Sequence, residues 1–548
     1  MASDSNLYRQ FLEELHDLAE FRLNYSLDHP AAGWEWEDPD VKRIIESLAF
    51  FSARTQIAAL SNIDATRGRL YQQFFPYLLS PLSAMAMIQA KPTGHLTEVL
   101  ALPEGTEFGL QPERGGLAIF RTTRPLRVLP FRLESVKQEP LSGTGIRLLL
   151  SFQADYPLND QLGTLSLHIN YLNDFAISLK VMHYLGRSLK YAGVQFGEYD
   201  SDQTCAACKF SLGVPPASIA TDEWHHPLEA ARYYFHFPQQ ELYMDLELPT
   251  APRNWKRFTV ALDCDQPWPR RLRLNRDLFQ LFTVPLANNQ RAMAQPIICD
   301  GTQERYTIRH PQPEYGFSLQ QVLGVYEITE QGMLPFRPGI LAGGNGSYEI
   351  EQGPPQEGGG NLHWLVPHFP AAFGEPRTLA VEASWLQPWY DQRLQVNYTL
   401  QAFRRQTQGV LWELLDTATP HSENHKLDST TGFLHLLTLM HKPCLNGQNT
   451  RDLLLALGSV SAGRFQAAFN GLADLRLEEE PLGGAEGRMS KQIYYLQFKP
   501  LMDDSTELIE TFVHHVGRVL DLWIADALVE ARWEVQDEAN SAVSGDRK

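Results

Sequence analysis

The chain has 548 residues and a formal net charge of −18, with 43% hydrophobic and 20% charged residues. At roughly 100–200 residues per domain, that length and composition describe a globular protein of several domains and exclude disorder over most of the chain. The acidic balance argues against a general phosphate-backbone binder and against docking on anionic lipid, since both need a basic face, and leaves room only for a local basic groove.

The first residues, M-A-S-D-S-N-L-Y-R-Q, lack the basic-then-apolar order of a secretory signal. Leu7, Phe11, Leu15 and Leu18 recur at helical spacing, with Glu13, Glu14 and Asp17 off that stripe. The pattern predicts a helix ending near Tyr25, followed by a loop that holds Trp34 and Trp36. Asp38-Pro39 opens a second helix, because Asp is a good N-cap and Pro loses no hydrogen bond at the first helical position. Val41, Ile44, Ile45, Leu48, Phe51 and Thr55 continue it; after a polar break, a third helix is expected from Asp64 through Tyr71 and Phe75. Pro76 and Pro81 bound a sharp turn, and Met85, Met87 and Ile88 read as a strand ended by Pro92.

The middle of the chain reads as β-rich. Ile146, Leu148, Leu150 and Phe152 alternate at period two, as do Leu165, Leu167 and Ile169. Asn173-Asp174 suits the cap of a helix running to Leu189, and further strands are expected around Tyr243 and Val260. Arg270, Arg271, Arg273 and Arg276 form a small basic cluster, read here as solvated arginines on the outward face of a strand. Sheets with occasional helices disfavour a dinucleotide fold. From Gly339 to Gly360 the glycine- and proline-rich composition predicts a long loop or a domain boundary, without a phosphate-binding motif. Helical stripes return at Phe433, Leu436, Leu437 and Met440, and at Leu453, Leu454 and Leu457. A strand from Ile493 to Phe498 precedes a last helix, with Asp504 and Glu507 as a capping box and Ile509, Phe512, Val516, Val519, Leu520 and Trp523 on one face. At 1.5 Å per residue, a helix of about 28 residues would run roughly 40 Å; a polar tail follows from Asp537.

Several of these stretches occur in a familiar order. Asp38-Pro39-Asp40-Val41-Lys42-Arg43-Ile44, Leu48-Ala49-Phe50-Phe51-Ser52-Ala53-Arg54, Phe75-Pro76-Tyr77 and Pro81-Leu82-Ser83 together resemble the N-terminal signature of the TssF family. That family comprises baseplate subunits of bacterial type VI secretion systems. Leu102-Pro103-Glu104-Gly105-Thr106, Phe120-Arg121-Thr122-Thr123, Tyr233-Tyr234-Phe235-His236-Phe237-Pro238 and Val284-Pro285-Leu286-Ala287-Asn288 resemble later landmarks of the family. The C-terminal third, including the segment Trp385 to Leu415, departs from the family pattern. The resemblance implies a structural wedge component. Its expected partners are TssG, TssK and a second TssF copy, next to the spike hub and the sheath. The expected location is the cytoplasm, with recruitment to a membrane-associated secretion complex.

Motifs for catalysis are absent from the sequence: there is no H-E-x-x-H and no G-x-S-x-G. His225-His226, His421 with His425, and His514-His515 are read as loop or helix pairs rather than metal ligands. Cys205-x-x-Cys208 has no second pair to complete a zinc site, and five cysteines in all suit a reducing cytoplasm. No apolar run spans a bilayer; Leu48 to Leu60 is broken by Arg54. The rival class is a β-rich glycan-active hydrolase or glycan-binding protein, since eleven tryptophans and many carboxylates suit a sugar cleft.

The expected architecture is therefore α+β and multidomain. It comprises a helical module (1–92), a β-rich middle (93–338) and a mixed C-terminal domain (339–548) ending in a long helix. No catalytic, cofactor or metal residue, no nucleic-acid contact and no direct membrane insertion are expected. Phe11, Leu15, Leu18, Ile44, Leu48 and Phe51 are the candidate partner-binding residues, and the same faces also suit packing on each other.

Overall fold

The computed structural model describes residues 2–28, 39–112, 116–141, 143–213, 226–339, 346–355, 361–369, 375–388, 398–403, 407–422, 430–458, 460–461, 463–481, 490–499, 506–524 and 527–535. Trp34, Trp36, His225, His425, Asp504 and the tail from Asp537 lie outside these residues.

Two long helices come first. α1 (Ala2–Asp28) has 27 residues and α2 (Pro39–Phe74) has 36, or about 40 and 54 Å of helix. α2 runs unbroken through the polar stretch where two helices were expected. Residues 56–63 contain no Gly or Pro, so no backbone hydrogen bond is lost there. The hydroxyls of Thr55 and Thr66 bond back to the carbonyls of Phe51 and Asn62. α1 and α2 lie antiparallel: Gln10 Nε2 donates to Gln56 Oε1 at 2.9 Å, and Ser52 Oγ to Glu14 Oε2 at 2.7 Å. A single short turn of helix, α3 (Pro76–Leu79), leads from this arm into the body.

The body holds two large antiparallel sheets. In one, six strands run in the order Tyr398–Ala402, Glu107–Pro112, Ala118–Thr122, Thr283–Ala287, Met85–Pro92 and Val410–Leu414. This sheet draws strands from both sides of positions 92 and 338. The other has eight strands, with Phe279–Leu281 at one edge beside Thr164–Ile169, and Phe131–Pro140 at the other. Period-two alternation sends Leu148, Leu150 and Phe152 into a shared core with Val260, Leu262 and Ile88. Phe131, Phe152, Trp255 and Phe258 form an aromatic centre in it. α4 (Phe175–Ser188) covers this core, capped by the Asp174 side chain as expected.

A second unit pairs Arg377–Leu386 with Ser318–Thr329 and packs it around Trp385, Leu365 and Val381. The Gly- and Pro-rich stretch expected as a loop contains a strand, Ser347–Pro355, hydrogen-bonded to Asn361–His368. Tyr348 and Ile350 pack inward there, so alternation outweighs the glycine content.

The last unit joins α5 (Pro227–His236), α6 (Thr430–Met440), α7 (Gly447–Ala456), α8 (Gln466–Gly471) and α9 (Thr506–Trp523) to a three-stranded sheet. α9 has 18 residues rather than about 28, and the last described element is a strand, not the expected long helix. It returns as a strand, Ala527–Val535, parallel to Ser490–Phe498. The reason is visible in the sequence: Val529, Ala531 and Trp533 face the core and alternate with Glu530, Arg532 and Glu534. The basic cluster is likewise not on a strand; Arg270 and Arg271 sit in a turn, Arg273 lies in the irregular segment after it, and Arg276 opens a 3-10 helix.

Candidate functional site

The arm exposes one face and closes the other. Leu7, Phe11, Leu15 and Leu18 are half-buried, as are Val41, Ile45 and Ile57, with Ala49 and Ala53 fully buried between the helices. Small residues at those two positions let the helices approach closely. The expected partner-binding set therefore divides. Phe11, Leu15 and Leu18 fall in the seam of the hairpin. Ile44, Leu48 and Phe51 stand on the open flank, 60%, 56% and 63% exposed. Tyr8, Leu12 and Phe21 on α1 are also exposed and were not singled out from the sequence. Their signal was that apolar residues of α1 occupy more than one stripe, which a single neighbour cannot cover. Burying a side chain of this size against a partner stabilises by about 1.5–3 kcal/mol.

The arm is fixed to the body by a buried corner. Tyr71, Phe75 and Leu78 enter the helical core, where Phe75 stacks on Trp523 with ring centroids 6.1 Å apart. Arg232 of α5 is 1% exposed. Its guanidinium donates to the carbonyls of Leu457 (2.9 Å) and Tyr77, and to Ser80 Oγ (3.4 Å). Burial pulls its pKa down to about 10, which leaves it charged at neutral pH. The Gln320 amide donates to Pro81 O at 2.7 Å and to the Tyr233 hydroxyl at 3.0 Å. His236 Nε2 lies 2.9 Å from Ser83 O, and His226 stacks on Tyr77 at 3.9 Å. The proline corner and the aromatic run, far apart in sequence, thus build one junction. Nothing in the sequence marked Arg232, because its shorter hydrogen bonds go to backbone carbonyls.

The remaining motifs form a second junction. Gly105 adopts φ +78° in the Pro-Glu-Gly-Thr turn, where its N–H and that of Thr106 donate to Thr122 O and Thr122 Oγ1 at 2.8 and 3.0 Å. Thr123 N donates to Pro285 O at 3.0 Å. Asn288 Nδ2 donates to Ile119 O and to Gln387 Oε1, both at 2.9 Å, and Gln387 N returns a bond to Asn288 Oδ1. These buried amides fasten the six-stranded sheet to the second unit.

Among the described residues, no group of three or more His, Cys, Asp or Glu side chains is placed to hold a metal ion. Cys205 is half-buried and Cys208 buried, and burial pushes the Cys208 thiol up to about 11, away from the reactive thiolate. His226 accepts from Leu228 N at the start of α5. His515 is buried against Tyr234, with His514 on the outer side of the helix. No described helix is long and apolar enough to cross a membrane.

The sequence profile of the family described as "Type VI secretion system, TssF" matches residues 4–344. A curated relative, the type VI secretion system component TssF1 of Pseudomonas aeruginosa, is 22% identical over 191 residues; the match covers 30% of this chain and 31% of that protein. The fold is similar to a chain in a cryo-electron microscopy structure of a type VI secretion TssK-TssF-TssG baseplate subcomplex. That similarity has a TM-score of 0.70 at 16% identity over 91% of this chain and 97% of the other. A chain in a type VI secretion baseplate complex gives a TM-score of 0.60 at 16% identity, over 96% of each.

Proposed function

Because the chain belongs to the type VI secretion system TssF family, we propose that it is a structural wedge component of a type VI baseplate. It assembles with a TssG-type subunit, TssK-type adaptors and a second copy of itself, beside the spike hub, and supports assembly of sheath and tube. It works in the cytoplasm as part of a membrane-recruited machine and carries out no bond chemistry of its own; its role is to hold contacts while the machine changes shape.

One observation supports this reading above the others. The α1–α2 arm leaves Ile44, Leu48 and Phe51 in water along one flank, yet its root is locked into the body through Arg232. A rigidly mounted arm with an uncovered apolar flank suits insertion into a helical interface. Ile44, Leu48 and Phe51 are the direct contacts in this reading, and Phe11, Leu15 and Leu18 keep the hairpin closed behind them.

The test is co-expression with the TssG-type and TssK-type subunits, followed by purification through a tag on this chain. A defined complex is expected. Its absence sinks the reading. Replacing Leu48 by Glu should release the TssG-type subunit from a chain that stays folded. Replacing Phe11 by Asp should instead open the hairpin, and circular dichroism of the isolated chain would register the lost helix.

A further inference from the structure

At the corner where the eight-stranded sheet meets α4, two turns lie side by side. The first, Tyr171 to Asp174, closes with Asp174 N donating to Tyr171 O at 2.9 Å. Its central residues, Leu172 and Asn173, have φ +51° and +61°. Asn tolerates that left-handed region; leucine does not, and glycine or asparagine is the ordinary choice. The turn is held by Asn170, which bonds the Asn173 side chain at 2.8 Å and its N–H at 2.9 Å, and by Ser178, which accepts from Tyr171 N at 2.8 Å. Leu172 itself is 75% exposed, so packing offsets little of its strain.

The second turn carries the basic cluster. Trp268 is buried against Tyr184 and its indole N–H donates to Leu272 O at 2.7 Å; Leu272 N closes the turn on Pro269 O at 2.9 Å. Arg270 and Arg271 occupy its tip, and Arg273 N donates to the Tyr171 hydroxyl at 3.3 Å, joining the two turns. All three arginine side chains are exposed and form no ion pair among the described residues. A chain of net charge −18 thus presents three arginines, unpaired among the described residues, on and just after a turn bonded to the one that carries a strained and exposed leucine.

We propose that this corner docks an acidic protein surface of a neighbouring subunit, with Leu172 entering an apolar pocket and Arg270, Arg271 and Arg273 meeting carboxylates around it. The proposal rests on the assembly reading above and assigns it a contact distant in sequence from the arm. An apolar anchor ringed by charges is the arrangement that concentrates binding energy at a protein interface, and arginine pairs with carboxylates in two-pronged geometry. A nucleic acid fits less well, because the corner's aromatic rings are withdrawn: Trp268 is buried, and Tyr171 packs half-buried on the core with its hydroxyl accepting from Arg273 N. An anionic membrane fits less well because the acidic body opposes it.

The experiment uses the full chain, alone and co-purified with the TssG-type and TssK-type subunits. Phenylglyoxal labelling read by mass spectrometry should find Arg270, Arg271 and Arg273 reactive in the isolated chain and protected in the complex. Leu172→Asn keeps the turn and removes the anchor. It should weaken assembly about tenfold, with a melting temperature equal to or above that of the parent. R270E/R271E/R273E should weaken assembly further, and assembly of the parent through this corner should fall with added salt. Equal labelling in chain and complex, or unchanged assembly of both variants, overturns the proposal while leaving the wedge reading intact. Arginine-dependent binding of phosphatidylserine vesicles or single-stranded oligonucleotides by the isolated chain also overturns it. If the unaltered chain forms no complex at all, both readings fall together.

Discussion

α9 and the α1–α2 arm present apolar residues at the same helical spacing, and the fold treats them in opposite ways. In α9, Ile509, Phe512, Val516, Val519 and Leu520 are all buried. One side lies on the three-stranded sheet so closely that a Cβ on Gly517 would come within 2.8 Å of the Ala531 Cβ. The other sides meet α4, α5 and α8. In the arm α1 packs chiefly on α2, and α2 adds contacts to Ser347–Pro355, α3 and α6. A two-helix hairpin covers one stripe per helix, so a second stripe stays in water whatever its composition. Apolar periodicity therefore identifies a helix in both places but distinguishes core from interface in neither. The number of neighbours decides, and that is a property of the tertiary fold.

The comparison makes its largest prediction at the core. Phe512 is 0% exposed and packs on Phe235, Phe465 and Phe498. Phe512→Ala should cost about 3–5 kcal/mol, measured by urea denaturation. A loss under 1 kcal/mol would mean that α9 is no better packed than the arm.

Next in size is the root of the arm. Arg232→Met keeps much of the side chain's volume but leaves the Leu457 and Tyr77 carbonyls without their donor. The expected cost is about 1–3 kcal/mol per stranded group, with faster hydrogen exchange in the Tyr71–Ser83 corner. Unchanged exchange there would show that the apolar contacts of Phe75 hold the arm alone.

A smaller effect depends on pH and is centred on α9. Burial holds the His515 pKa down at about 2, against Tyr234 and beside His514 and Arg518. A base whose folded pKa lies below its unfolded value contributes stability above the unfolded value, near 6.5, and loses it as pH falls below. Glu241 is the reverse: burial raises its pKa to about 7, partly offset by Arg518. Its contribution is full below the unfolded value near 4.5 and is lost as pH rises to about 7. The two slopes oppose each other between pH 4.5 and 6.5. Glu241→Gln should therefore make stability rise more steeply with pH in that window. His515→Phe should lower the slope by up to about 1.4 kcal/mol per pH unit, so that stability falls with pH as Glu241 ionises. Urea midpoints at half-unit pH steps would check both signs.

These outcomes also bear on what could be read from the chain itself. The helices and strands with clean periodicity, such as Ile146–Leu158 and α4 with its Asp174 cap, were legible because local pattern and burial agree there. The end of α9 was not. Residues Ala527–Val535 alternate at period two, but they follow an amphipathic helix whose pattern masks the change. The family landmarks were legible as motifs, while their purpose was not. Pro81, Ser83, Tyr233 and His236 come together only when α5 folds against the corner, and Pro103 meets Thr122, and Pro285 meets Thr123, only when the six-stranded sheet forms. Half of the candidate interface was likewise visible as apolar positions. Its division into seam and open flank required the antiparallel register that Gln10–Gln56 and Glu14–Ser52 reveal.

The smallest stability effect carries the most about function. Phe51 is 63% exposed, so Phe51→Ser removes little buried surface and should shift the stability of the isolated chain by no more than about 0.5 kcal/mol. Ile44→Ser and Leu48→Ser should behave alike. If the open flank is covered in the assembly, each substitution forfeits the burial of one large side chain, about 1.5–3 kcal/mol, or roughly ten- to a hundredfold in affinity for the TssG-type subunit. Phe512→Ala should do the opposite, unfolding the chain while leaving any folded fraction competent to bind. The two ratios of binding loss to stability loss differ in direction, and titration calorimetry beside urea denaturation measures both. Should Phe51→Ser destabilise the isolated chain as Phe512→Ala does, the arm is a core element and the contrast between the two helical regions disappears.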